Sequence, residues 1–307
     1  MAEQTKPDWL KIKPSSKTDF SRMKKVLREK GLSTVCEESH CPNMSECWHN
    51  EGTVTFMVMG DTCTRACSFC AVKTSKEPGD LDLFEPVKIA RAVEEMNLDY
   101  VVITSVDRDD LPDGGADHFA RCIREVKRAS PDTIVEVLIP DFQGDREAIK
   151  KIVGAGPAVI AHNIESVKRL QVIRDPKANY TQSLFVLRTV KELNPKIYTK
   201  SALMMGVGEK KEEVFRAMDD LRAVDCDILT MGQYLKPKNK YYSVKKHVSP
   251  KTFKEYELAA KKKGFLYVAS GPFVRSSYRA GELFIKNVLK KKENTQNTSL
   301  SGESSSA

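Results

Sequence analysis

The sequence predicts an α/β protein built as a partial (β/α)6 TIM-like barrel, with an N-terminal cysteine-rich extension and a C-terminal extension. Three observations carry that prediction. Short, almost wholly apolar runs recur along the middle of the chain, as parallel strands buried on both faces require. Segments with apolar residues at helical spacing lie between those runs. The alternation repeats six times, short of the eight units and roughly 250 residues of a complete barrel.

The strand-like runs are Val54–Met59, Tyr100–Thr104, Thr133–Ile139, Ala158–Ala161, Thr199–Met205 and Ile228–Met231. Between them, helical spacing covers Pro86–Met96, Ala116–Arg128, Asp145–Val153, Leu184–Leu193 and Glu212–Val224. An earlier helix is predicted over Phe20–Lys30, ended by Gly31. Residues 36–52 hold too much Pro, Asn, Gly and Cys for regular structure. After residue 235 the rhythm changes to a Lys-, Tyr-, Asn- and Pro-rich loop (236–249), a helix near Pro250–Lys263 and a short strand, Leu266–Ser270. Four parts result: an N-terminal extension (1–52), the barrel (53–235), a C-terminal extension (236–292) and a polar, low-complexity tail (293–307) expected to be disordered.

Composition narrows the function. The 307 residues are 40% hydrophobic and 30% charged, with a net charge of +8. No apolar run approaches the roughly 20 residues of a membrane span. The start, MAEQTKPDWLKIKP, has neither a secretory h-region nor an Arg-rich amphipathic pattern, so a cytoplasmic protein is expected. The basic residues are spread out and no reader motif accompanies them, which argues against nucleic acid. No long exposed apolar stripe calls for a partner chain.

Six of the eight cysteines fall between Cys36 and Cys70. Cytosolic thiols stay reduced, so the cluster points to metal rather than disulfides. Cys122 and Cys226 stand alone and read as small buried hydrophobes. The segment after the first strand, Cys63-Thr64-Arg65-Ala66-Cys67-Ser68-Phe69-Cys70, is C-x3-C-x2-C. Three thiolates on one tight loop can hold three irons of a 4Fe-4S cube and leave the fourth open to another ligand, unlike the four-cysteine closure of electron-transfer clusters. A zinc site is the competing reading, but structural zinc takes four ligands, usually as two C-x2-C pairs. Upstream, Cys36, Cys41 and Cys47 form C-x4-C-x5-C. A second cluster, a purely structural cluster, and zinc completed by His40 or His49 all remain open for that group.

The C-x3-C-x2-C loop, with an aromatic before its last cysteine, resembles the radical S-adenosylmethionine (SAM) superfamily. That resemblance implies a cluster whose open iron binds SAM and cleaves it to a 5′-deoxyadenosyl radical. A narrower resemblance extends over residues 8–285: CEESHCPNMSECW, GTVTFMVMGDTCTRACSFCAV, YVVITSVDRDDLPDGGADHF, HNIE, KSALMMGVGE, GQYLKP and GPFVRSSY are similar to lipoyl synthases. It implies a radical SAM sulfurtransferase with two 4Fe-4S clusters, inserting sulfur at C6 and C8 of an octanoyl group amide-linked to a lysine of a lipoyl carrier domain. Cys36, Cys41 and Cys47 would hold the auxiliary cluster that donates the sulfur. Its fourth ligand would be a serine of Arg275-Ser276-Ser277-Tyr278, Ser277 before Ser276; the same serines also suit a helix N-cap. An electron donor such as flavodoxin or ferredoxin is implied as a partner. A biotin-synthase-like enzyme and a two-cluster electron carrier are the alternatives.

Polar residues at strand ends are candidates for holding SAM and substrate. They are Thr104, Ser105, Asp107 and Arg108, then Asn163 and Glu165, then Ser201, Gly206 and Glu209, and last Gln233 and Tyr234. Glu209 equally suits a helix N-cap. Arg275 is expected to meet substrate, a cluster edge or a buried acid. Lys and Arg around the mouth would steer an acidic carrier.

Overall fold

The computed structural model describes residues 7–10, 21–39, 41, 43–44, 48, 54–238, 240–276 and 285. Its centre is one eight-stranded sheet, in the order β1 (Ser33–Thr34), β2 (Thr55–Val58), β5 (Tyr100–Ser105), β6 (Ile134–Leu138), β7 (Val159–Ala161), β8 (Tyr198–Met205), β9 (Ile228–Gln233) and β10 (Tyr267–Gly271). β1 runs antiparallel to β2, pairing Ser33 with Met57, and every other neighbouring pair is parallel. Two short strands, β3 (Thr62–Cys63) and β4 (Lys73–Thr74), form a separate ladder above the end of β2.

The helices are α1 (Ser21–Lys30), α2 (Val35–Glu38), α3 (Glu85–Met96), α4 (Ala116–Ala129), α5 (Arg146–Ala155), α6 (Tyr180–Leu193), α7 (Lys211–Arg222) and α8 (Pro250–Lys262). Their starts follow cap chemistry. Asp145, Asn179 and Ser249 each accept a backbone N–H from the first turn of α5, α6 and α8. The six expected strands are all present, and the short strand expected near 266–270 joins the same sheet: β10 pairs in parallel with β9 from Tyr267 opposite Ile228 to Gly271 opposite Gly232. This seventh parallel unit was hidden by the long basic loop before α8, which breaks the spacing of the earlier units.

Two further differences have local causes. Residues 33–38 are regular, as β1 and α2, because Thr34 accepts the Glu37 N–H and starts a helical turn within the cysteine-rich segment. α6 begins four residues before its apolar spacing does, because Asn179 caps it and buried Ser183 bonds His162 and Arg174 instead of water.

The core is layered. Outward residues such as Phe56, Val101, Ile103, Val137 and Ile160 pack against the helices with Ile89, Val93, Phe119, Ile123 and Ile149. Inside the curve of the sheet, Tyr100, Val102, Val159, Tyr198 and Ile228 meet Ile285. Cys122 and Cys226 are fully buried, as small hydrophobes are. No helix among the described residues is long and apolar enough to cross a membrane.

The interior also holds an ion pair, Lys200 Nζ to Glu136 Oε1 at 2.6 Å, with both side chains about 3% exposed or less and Tyr100 Oη donating to the same carboxylate. Removing one partner strands a buried charge, whereas removing both does not. Lys200→Met should therefore cost about 3–5 kcal/mol in urea unfolding. Lys200→Met with Glu136→Leu should recover most of that loss.

Candidate active site

Strand β2 delivers the chain to the mouth of the sheet, where Met59 and Gly60 turn it with φ of 67° and 89°. A methionine at positive φ is strained, and both ends of its peptide are held. Met59 N–H donates to the Glu85 carboxylate at 2.9 Å, and Arg108 Nη1 donates to Met59 O at 3.4 Å. His118 Nε2 lies 2.6 Å from the same Glu85 oxygen. Past the turn, Cys63, Cys67 and Cys70 share one loop. Thr64 bonds Asp107 O through both its N–H and its hydroxyl, at 2.9 Å each. Ser68 does the same to Ile173 O, and Ala66 N–H donates to Asp175 at 2.9 Å.

Arg65 is the centre of this arrangement. It is 4% exposed and lies 3.3 Å from Asp107, 2.8 Å from Asp109 and 2.7 Å from Asp141. It grips the last two as forked, bidentate pairs. Burial alone would disfavour its charge; the surrounding carboxylates instead raise its pKa. Asp141 falls to about 2 despite burial, and Asp109 also falls, shared with Lys177 at 3.1 Å. Asp107 goes the other way, to about 6, because burial and its acidic neighbours outweigh Arg65. The residue that reads as a spacer in C-x3-C is thus the bolt that fixes the cysteine loop to the ends of β5 and β6.

The sulfurs receive backbone donors. Arg65 N–H and Asp107 N–H point at Cys63 Sγ, at 3.4 and 3.3 Å, and Asp175 N–H points at Cys67 Sγ at 3.2 Å. Burial, with Asp107 adding its charge, pushes the Cys63 and Cys67 thiols up to about 12. Burial, then Glu165 and Asp107, raises Cys70 as well. A multiply charged metal centre reverses that balance by drawing off the thiol protons. A single zinc does not match. Tetrahedral thiolates about 2.3 Å from zinc stand about 3.8 Å apart. Yet among the described residues the only three such ligand atoms within 4.8 Å of one another belong to Glu85, His118 and Cys122. Three thiols on one loop suit the three protein-held irons of a 4Fe-4S cube.

Beside the loop, Asn163 donates to Glu165 Oε1 at 3.1 Å while its own Oδ1, like Ser105 Oγ, is buried without a partner among the described residues. Glu165 sits at φ 61° and its charge reaches Cys67 and Cys70. Open polar atoms next to the sulfurs fit a polar ligand there. Thr104 is already committed to Leu138 O at 2.9 Å. Other expected site residues build the walls. Ser201 Oγ accepts Ile164 N–H, and Glu209 accepts the N–H groups of Gly206, Val207 and Gly208, closing that turn rather than capping α7. Gln233 holds Met205, Tyr234 and Lys246 carbonyls and Val248 N–H, and Tyr234 Oη donates to Tyr242 O.

Cys36 lies in α2 and is buried; Cys41 follows, its N–H bonded to Cys36 O at 3.1 Å. The chain's far end comes to them. Asn43 Nδ2 donates to Phe273 O at 2.7 Å, across 230 residues of sequence. Burial lowers the pKa of Arg275, opposed by the charge of Cys41 beside it, and Arg275 Nη2 has no partner among the described residues. No carboxylate meets it among the described residues. Cys47, Ser277, His40 and His49 lie outside the described residues.

Sequence reading missed Arg65, Asp109, Asp141, Glu85 and His118. Only the basic residue inside the cysteine loop, followed by several acids after strand ends, hinted at them. Arg65→Met leaves the carboxylates uncompensated and should cost about 3–5 kcal/mol in urea unfolding of the metal-free protein. Adding Asp141→Asn should return part of it, with a coupling of about 0.5–3 kcal/mol; strictly additive costs would show the pair is not coupled.

A family model described as the radical SAM superfamily matches residues 57–221. The chain is 51% identical over 290 residues to an apicoplast lipoyl synthase of Plasmodium falciparum, covering 94% of this chain and 70% of that one. It is 52% identical over 302 residues to the lipoyl synthase of Halobacterium salinarum, covering 96% of each, and 52% identical over 289 residues to a mitochondrial lipoyl synthase of Aedes aegypti, covering 92% and 74%. Among solved structures, a methylornithine synthase shares the fold with a TM-score of 0.52 at 13% identity, covering 86% of this chain and 82% of that one. Streptococcus suis SuiB bound to S-adenosylmethionine does so with a TM-score of 0.55 at 10% identity, covering 74% and 53%. A parallel barrel, a three-cysteine loop at its mouth and half the sequence in common with three such enzymes lead to one statement: this chain belongs to the lipoyl synthases of the radical SAM superfamily.

Proposed function

We propose that the two cysteine groups divide the chemistry of a lipoyl synthase between them, Cys63, Cys67 and Cys70 holding the SAM cluster and Cys36, Cys41 and Cys47 the sulfur donor. The chain is a radical SAM sulfur-inserting enzyme, whose cofactors are SAM and 4Fe-4S clusters and whose substrate is an octanoylated lipoyl carrier. When bound, these groups supply radical hydrogen abstraction and sulfur.

The protein's own residues do the positioning. Backbone N–H groups aimed at Cys63 and Cys67 raise the tendency of a cluster there to accept an electron. Asn163, Glu165, Ser105 and Asp107 offer polar atoms to SAM on the side facing those sulfurs. The walls set by Ser201, Glu209, Gln233 and Tyr234 hold the mouth in shape. The observation that carries the second role is the Asn43–Phe273 bond, which brings the segment ending in Ser276 against the Cys36–Cys41 loop. Ser277 then becomes the proposed oxygen ligand, a weaker partner for iron than thiolate and so one that can leave. C6 and C8 are the proposed positions of insertion, and a flavodoxin or ferredoxin the proposed reductant.

Anaerobic reconstitution followed by assay with SAM, a strong reductant and an octanoyl-lysyl peptide tests this. Cys67→Ala should abolish 5′-deoxyadenosine formation. Cys41→Ala should retain it and form no sulfur-bearing product. Equal loss of cleavage in both variants would refute the division.

A further inference from the structure

We propose that the loop after β9 and the start of α8 form a docking surface for an acidic protein domain, the one that presents the acylated lysine; this rests on the substrate reading above. From Lys236 to Lys254 the chain has seven lysines and no aspartate or glutamate. Lys238, Lys240, Lys245, Lys246 and Lys251 are exposed. Lys238, Lys240, Lys245 and Lys246 make no ion pair with a carboxylate among the described residues, whereas Lys211, Lys254, Lys261 and Lys263 all do. The surface is therefore a row of like charges that repel one another in the free enzyme and are relieved when carboxylates come opposite.

The row is also fixed in place over the chemistry. Tyr242 N–H donates to Ser68 O at 2.8 Å, within the cysteine loop itself. Tyr242 Oη donates to Val207 O at 3.3 Å, and Lys245 and Lys246 N–H both reach Gly206 O, at 2.8 and 3.2 Å. Lys240 and Lys245 lie over the rings of Tyr241 and Tyr242, at 5.2 and 5.3 Å. These contacts hold the charges beside the cysteine loop, so a carrier seated on them would bring its arm near the sulfurs.

The test compares two substrates, an uncharged octanoyl-lysyl peptide and an intact octanoylated carrier domain. In the triple variant Lys238→Glu, Lys240→Glu, Lys245→Glu, kcat/KM for the peptide should stay within about twofold, while that for the carrier should fall by about tenfold or more. In the unaltered enzyme, raising salt to about 0.3 M should weaken the carrier reaction alone. The triple Lys→Arg variant should behave as the parent. Equal losses on both substrates, or no loss on the carrier, would overturn the proposal. So would slower reduction by a protein electron donor with carrier kinetics unchanged, which would give this surface to the donor. Failure of the unaltered enzyme to modify the peptide would instead count against the functional reading.

Discussion

The site depends on one buried cation. Arg65 joins the cysteine loop, which follows β2, to Asp107 and Asp109 beyond β5 and to Asp141 beyond β6. Parallel strands all end at the same mouth, but nothing in a sheet fixes the loops above it relative to one another. Here a planar, forked cation does so, because only such a group can satisfy two carboxylates bidentately while reaching a third. The arrangement is also asymmetric in charge: one arginine faces three acids, with Lys177 helping at Asp109. Of the three acids, Asp107 is the one that also faces Cys63.

Strain is placed around the same loop. Met59 and Glu165 both hold positive φ without being glycine. Each is overdetermined by its surroundings, Met59 by Glu85 and Arg108, Glu165 by backbone bonds to Ala202 and Met204. Such conformations cost on the order of 1–3 kcal/mol each and persist only where neighbours impose them. The Glu85–His118 pair is explained by this load. Its three-residue grouping with Cys122 has the donors of a metal site, but the carboxylate is already taken by the turn that aims the cysteines.

What was legible in the sequence follows from range. The strands and helices were readable because burial on two faces, or on one face of a helix, writes a local period. Cys63, Cys67 and Cys70 stood out because three thiols on one loop lie close in sequence. β10 was readable as a short strand, but its place in the sheet was not, since that depends on a crossover that includes an irregular lysine-rich loop. Glu209 and Gln233 looked like ligand contacts because they are polar and sit at strand ends. Their side chains also satisfy the backbone there, because strand ends leave N–H and C=O groups unpaired. Asp141 and Arg65, 76 residues apart, leave no local trace of their pairing.

The cysteines of the N-terminal segment pose the opposite problem, since their surroundings come from both ends of the chain. Gly232 marks where those ends meet. A Cβ there would lie 1.9 Å from Val274 O and 3.3 Å from Arg275 Nη1, so only glycine lets the 271–276 segment cross β9 this closely. That crossing puts Phe273 O within reach of Asn43 and Arg275 beside Cys41. β10 must therefore be in place before Cys41 has Arg275 beside it, whereas the loop of Cys63, Cys67 and Cys70 is bonded to the segments that follow β5, β6, β7 and β9. The two groups thus differ in range: Cys63, Cys67 and Cys70 share one loop, whereas the surroundings of Cys36 and Cys41 come from segments 230 residues apart.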